Sequence, residues 1–269
     1  MNTNIYQHEF RSRLKSVVIW SVSVAFIVVF YLSLYPVFSD QAAMMNEFLA
    51  RYPAQLRAAF GLDKIDLSTV LGFYAFTFVF VQLCLAIQAG NYGFGLVSIE
   101  ENELTADFLL SKPVSRRRVL TSKLLAAFTS LIITELVISV SSIASILLFR
   151  EGRAYPQGTL LLLLLSLVIF QLVFLGIGLV VSLLVRRVRS VTPYALGLAF
   201  GTYILNGFSG IFGDVKLELI TPFKHLDPTY IVQQASYNTP LVLLDAAVIL
   251  VTLGVSYWLY TRRDIPAVS

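Results

Sequence analysis

Charge is scarce in this chain: only 13% of its 269 residues are Asp, Glu, Lys or Arg, about half the share usual in a soluble domain. That scarcity excludes a water-exposed surface of ordinary composition. Cysteine is almost absent, with Cys84 alone, so no disulfide can form within the chain. Histidine is limited to His8 and His225, and no H-E-x-x-H pattern exists to bind a protease zinc. The phosphate loop G-x-x-x-x-G-K-[ST] is also missing, so the chain has no such cradle for ATP of its own.

What the chain has instead is apolar length. Apolar residues make up 57% of it. Six segments are long enough to cross a bilayer at roughly 20 residues per spanning helix: 17–38, 67–89, 124–149, 159–185, 191–212 and 240–260. The connections are short, and a helix satisfies its own backbone hydrogen bonds in lipid. The reading is a single all-α polytopic membrane domain over residues 1–269 with six transmembrane helices. The first segment is too long for the apolar core of a cleavable signal and ends in Tyr35, Pro36, Val37 and Phe38 rather than small residues. It is therefore read as a retained span. Cys84, inside the second span, reads as a small packing residue.

Lys and Arg set the expected orientation, because short cytoplasmic loops retain positive charge. With the N-terminus inside, thirteen of the twenty basic residues fall on the inner side, among them Arg11, Lys15, Arg116 to Arg118, Arg186 and Arg262. Most of the others fall in two longer outer loops, where the rule is weak. Both termini are expected in the cytoplasm. The basic pI near 9.2 calls for no nucleic acid, since the excess charge sits beside span ends where anionic lipid headgroups attract it.

Ahead of the first span, Tyr6, Phe10 and Leu14 recur every four residues while His8, Arg11 and Lys15 fall on another side. The spacing predicts an amphipathic helix lying in the membrane interface, or else a merely helical basic flank. The outer loop 39–66 carries two short amphipathic pieces around Phe48 and Phe60, separated at Pro53. Two small helices on the outer face are expected there, as a cap over substrate or as a covering for the bundle.

The second connection differs from the rest. Residues 90–95 are glycine-rich and read as a flexible start to an inner loop. Glu100, Glu101 and Glu103 then suit the first turns of a helix, where negative charge complements the macrodipole. Val97, Leu104 and Phe108 follow at helical spacing. Pro113 ends that helix and is placed to start another through Arg116, Arg117, Arg118 and Lys123 into the third span. The result is a cytoplasmic hairpin between spans two and three, acidic and then basic. A plain re-entry loop with snorkelling arginines is the alternative.

These residues resemble a motif of the ABC-2 type exporter permeases, NatB-like members in particular. The matching run is Glu101, Thr105, Asp107, Leu109, Leu110, Pro113, Val114, Ser115, Arg116, Arg117 and Lys123, with Leu104 where the family usually has glycine. That departure favours a continuous helix before Thr105. The outer run from Tyr52 to Leu62 resembles a recurring loop of the same group. The resemblance implies a coupling hairpin (Glu100, Glu101, Glu103, Thr105, Asp107, Phe108, Pro113, Arg116 and Arg117) that docks on a separate ATPase subunit. It also implies a second permease half, identical or paralogous, with ATP and magnesium held by the partner and no cofactor on this chain. The implied place is the inner membrane of a prokaryote.

Within the spans, Glu135 is costly in lipid and should face the bundle interior, a partner or water. Ser139 and Ser142 share its face, so this side either lines a translocation path or dimer seam, or joins helices. Gln82, Gln88, Gln171 and Asn206 read as amides that join helices. Gly197 and Gly201 form a G-x-x-x-G pair suited to a dimer seam or to internal packing. The loop 213–239 resembles a short re-entrant or capping segment, and its Asp214, Glu218, Lys224, His225 and Asp227 show no metal-ligand spacing. With His8 and His225 on opposite sides, catalysis is not expected. The reading is a transport permease driven by a partner's ATP, with a non-transporting scaffold or immunity protein as the alternative.

Overall fold

The structure, a computed structural model, describes residues 2–41, 44, 51–53, 66–102, 114–185, 188–211 and 216–262, with backbone alone at 99–102, 209–211 and 216. Every regular element among them is helical: α1 Thr3–Asp40, α2 Val70–Asn102, α3 Arg116–Phe149, α4 Gln157–Leu184, α5 Val191–Ile211, a 3-10 turn Lys216–Leu219, α6 Pro222–His225, α7 Pro228–Gln234 and α8 Thr239–Arg262. Five are long and apolar enough to cross a membrane: α1, α2 over Val70–Ser98, α3, α4 and α8. Helix α5 occupies the expected fifth span over 21 residues. Thr192, Pro193, Thr202, Asn206 and its glycines dilute its apolar character, and it is not among the five. The small helices expected in 39–66 fall almost wholly outside the described residues.

Two expectations about helix ends change. The segment before the first span is not a separate helix: Asn2 caps α1 by accepting from the amides of Asn4 and Ile5, and the helix then runs 38 residues without interruption. No glycine or proline stands between Asn2 and Pro36 to break it. Residues 90–95 are not a flexible loop either, because α2 continues through them to Asn102. Tertiary contact overrides the low helix propensity of glycine there. A Cβ on Gly93 would collide with the carbonyl oxygen of Leu175, and one on Gly178 would lie 3.1 Å from the carbonyl oxygen of Gly90. The glycines let α2 and α4 touch backbone to backbone.

Paired contacts fix the directions. Asn2 meets Ser122, Tyr6 meets Thr129 and Ser21 meets Thr134, so α1 and α3 run parallel. Tyr35 reaches Ser68 and Tyr92 reaches Ser16, so α2 runs opposite to α1. The end holding Thr3, Asn102 and Arg116 is called proximal below, and the end holding Asp40, Val70 and Phe149 distal.

The core forms two stacked layers along the helix axes. The proximal layer gathers Val17, Leu96, Leu120, Phe170, Phe174 and Leu183, and the distal layer Val28, Tyr35, Tyr74, Phe78, Ile138 and Leu163. Across the bundle the helices fall into two groups. Helix α1 packs most extensively on α3, while α2 packs on α4 and α5, and α8 on α4; contact between the groups is thinner. The stretch from Lys216 to Tyr237 turns back into the bundle from the distal end, where Phe223 and Leu226 join the proximal layer and Ile231 the distal one. Phe223 lies against Phe170, Phe174 and Tyr203, and Thr221 donates to the carbonyl of Thr202 at 2.9 Å. Through these contacts the loop folds back on α4 and α5.

Candidate functional site

The proximal end concentrates the charge. Lys123, on the second turn of α3, is 2% exposed in its side chain, and its ammonium lies 2.9 Å from Glu9 Oε1. The same ammonium donates to the carbonyl oxygen of Leu96 on α2 at 2.9 Å. Arg13 pairs with the other oxygen of Glu9 at 2.7 Å, one turn along α1. Its guanidinium stands over the Tyr92 ring, 6.0 Å from the centroid. Three helices therefore meet at one ammonium, that of Lys123. Glu9 lies ahead of the apolar span that starts at Val17. Burial pushes its carboxyl upward, but the charges and hydrogen bonds of Lys123 and Arg13 outweigh burial and hold it below its ordinary value.

This cluster flanks the expected coupling segment. Glu100 and Glu101 are in the last turn of α2, where the backbone alone is described. Glu103, Thr105, Asp107, Phe108 and Pro113 lie outside the described residues, so the hairpin itself is outside the description. Arg116 and Arg117 open α3, which starts at Arg116 with Ser115 as N-cap in extended backbone, not at Pro113. Serine is a preferred residue at that position. Arg116 donates to the carbonyl of Thr261 at 3.4 Å and so touches the end of α8, while Arg117 is exposed.

The polar face of α3 is turned into the bundle. Glu135 is buried, with one oxygen accepting from Ser139 at 3.1 Å and the other without a partner among the described residues. Ser142 is fully buried and bonds to the Tyr74 hydroxyl at 2.8 Å. Gln88 donates to Thr134 at 2.9 Å, and Gln82 to the carbonyl of Leu226 at 2.9 Å. Gly197 and Gly201 behave oppositely to Gly93. A Cβ at either would meet nothing within 4 Å, so their side of α5 faces away from this chain. The structure thus brings Glu135 and Ser139 together, holds Ser142 in the core, and leaves the glycine pair outward, apart from the proximal arginines.

Two arrangements were not read from the sequence. His225 on α6 and Asp245 on α8 lie 2.6 Å apart, both buried. The signal was available, since an ionisable residue inside a predicted span is itself a functional candidate. With no metal-ligand spacing around it and His8 expected on the opposite side, His225 draws no role from the sequence, although a carboxylate serves as its partner. The Glu9–Lys123 pair had no such signal, because its partners are more than a hundred residues apart and the pattern around each one says nothing of the other.

Set against known proteins, the chain matches the family described as ABC-2 family transporter protein over residues 3–265. No curated protein and no solved structure matches it.

Proposed function

The chain belongs to the ABC-2 family of transporter proteins and is a multi-pass membrane component of a transporter, and from that premise we propose that it is the permease half of an ATP-driven exporter. The observation that carries this reading is the overrun of α2 and α3 at one end. Their 33 and 34 residues rise about 50 Å each, against a hydrocarbon core of roughly 30 Å. The charged turns, at Glu100 and Glu101 on α2 and at Arg116 to Lys123 on α3, are both proximal. The described helix ends on either side of 103–113 thus share one charged end of the bundle, the end on which a soluble partner would dock.

In this reading the proximal end is cytoplasmic, and residues from Glu100 to Arg117 dock on a separate ATPase subunit. That subunit holds ATP and magnesium. Helix α5 crosses as the fifth of six spans, and the first turns of α1 sit at the headgroup level. A second permease half packs against the outward glycines of α5 and the exposed side of α1. Two observations support that seam: the open space over Gly197 and Gly201, and the exposed ridge of Leu196, Phe200, Ile204 and Phe208 beside them. The membrane is a prokaryotic inner membrane.

Purification of the chain from its native membrane in mild detergent tests the reading. A nucleotide-binding subunit is expected to co-purify, the complex to hydrolyse ATP, and Glu101→Ala with Arg116→Ala to lose that subunit. Recovery of the chain alone, or full retention of the subunit by the double variant, would falsify the proposal.

A further inference from the structure

The grouping of helices gives the segment 103–113 a mechanical position, a point that rests on the transporter reading above. Its first end is continuous with α2 and its second with α3. These helices belong to different groups: α3 is packed along α1, and α2 is packed on α4 and α5. A partner that pulls on the segment therefore acts across the boundary between groups. Inside each group the contacts resist sliding. Helices α2 and α4 are in backbone contact at Gly93 and Gly178, and α1 is tied to α3 by Glu9–Lys123, Tyr6–Thr129 and Ser21–Thr134.

The boundary is built otherwise. Beyond apolar contact, the described residues of these helices cross it by hydrogen bonds: Gln88 to Thr134, Tyr74 to Ser142, Tyr92 to Ser16, Thr121 to Tyr257, Arg116 to the Thr261 carbonyl and Lys123 to the Leu96 carbonyl. Four of these six join neutral groups that can re-pair after a small shift. The other two are charge-assisted, which is the strong kind; Arg116 reaches its carbonyl at 3.4 Å in a half-buried place, while Lys123 is buried and meets the Leu96 carbonyl at 2.9 Å. We propose that Lys123 is the pin between two helix groups that move as units, α1 with α3 and α2 with α4, α5 and α8. The Lys123–Leu96 bond breaks and re-forms in each cycle, while Glu9 stays paired to Lys123 and carries α1 along. Lys123 is a positioning residue in this account and touches no substrate.

Paired cross-links in the complex with its ATPase subunit test the proposal, in a Cys84→Ser background. Asn2→Cys with Ser122→Cys joins α1 to α3 inside one group, where the Asn2 amide now lies 2.8 Å from the Ser122 hydroxyl. Thr121→Cys with Tyr257→Cys joins α3 to α8 across the boundary, where the hydroxyls lie 2.7 Å apart. Both use adjacent residues of α3 at one depth and the same short bifunctional thiol reagent. The first bridge is expected to leave ATP hydrolysis intact and the second to stop it. Equal hydrolysis by the two bridged complexes overturns the two-group motion. Lys123→Gln, checked by thermal unfolding, should raise basal hydrolysis about tenfold, the order set by one charge-assisted hydrogen bond. Lys123→Arg should restore it, and a Lys123→Gln complex that folds and hydrolyses at the wild-type rate removes Lys123 as the pin. A sample with no ATP-hydrolysing partner overturns the transporter reading and this proposal together.

Discussion

Helix α2 meets its neighbours by different means. Toward α4 it offers glycine, and the two backbones touch with no side chain between them at Gly93 and Gly178. Toward α1 and α3 it offers Tyr74, Gln88, Tyr92 and the Leu96 carbonyl, each hydrogen-bonded to a side chain across a gap. A backbone contact is a fixed shape, and any shift opens a void or makes a clash. A hydrogen bond between hydroxyls and amides tolerates exchange of partner. The seam with α4 is thus built to stay and the seam with α1 and α3 to change.

The largest effect expected from breaking this contrast is at Glu9. Glu9→Gln leaves Lys123 and Arg13 as neighbouring buried cations with no carboxylate, a loss of about 3–5 kcal/mol for removing one partner of a buried pair. Thermal unfolding in detergent checks it. The pH sense follows from the lowered carboxyl: the pair's contribution is complete above the ordinary carboxylate value of 4.5 and is lost as pH falls through the folded value below it. The variant should therefore approach the wild type at acid pH. Adding Lys123→Met to Glu9→Gln should recover part of the loss, because two neutral groups replace the pair. The next largest effect lies on the opposite seam. Gly93→Ala places a methyl on the Leu175 carbonyl and should cost about 1–3 kcal/mol by overpacking. A Gly93→Ala protein as stable as the wild type would show that α2 and α4 are not in fixed contact.

Much of this was legible in the sequence, and the misses share a cause. Spans over 124–149, 159–185 and 240–260 differ from α3, α4 and α8 mainly at their ends, because long apolar runs between charges leave no other reading in lipid. Gly90, Gly93 and Gly95 suggest a loop because glycine is a weak helix former by itself, and only the approach of α4 shows why α2 needs it. Asp245 was hidden by its apolar neighbours. Glu9 has the look of an ordinary flank charge and Lys123 that of one more cation of the predicted hairpin, and nothing local distinguishes a snorkelling lysine from one 2% exposed. Sequence period reports which face of a helix is polar. It does not report which helix that face meets.

Smaller effects sharpen the contrast further. Gln88→Ala removes a bond to Thr134 at 2.9 Å, and hydrogen bonds between membrane helices average about 0.6 kcal/mol. A shift of that size in the unfolding midpoint is expected, well below that of Gly93→Ala. The smallest effect on the fold belongs to Gly197 and Gly201, which are spaced like a packing motif although a Cβ on either would meet nothing within 4 Å among the described residues. Gly197→Ala combined with Gly201→Ala should leave unfolding within about 0.5 kcal/mol of wild type, as surface substitutions do. If these glycines seat a second permease half, the same variant should shift the detergent-solubilised chain from dimer toward monomer, measured by size-exclusion chromatography with light scattering. A glycine pair inside a chain destabilises the fold when filled; one between chains destabilises only the assembly. Loss of thermal stability without loss of the dimer would place Gly197 and Gly201 with Gly93, as contacts of the bundle with itself.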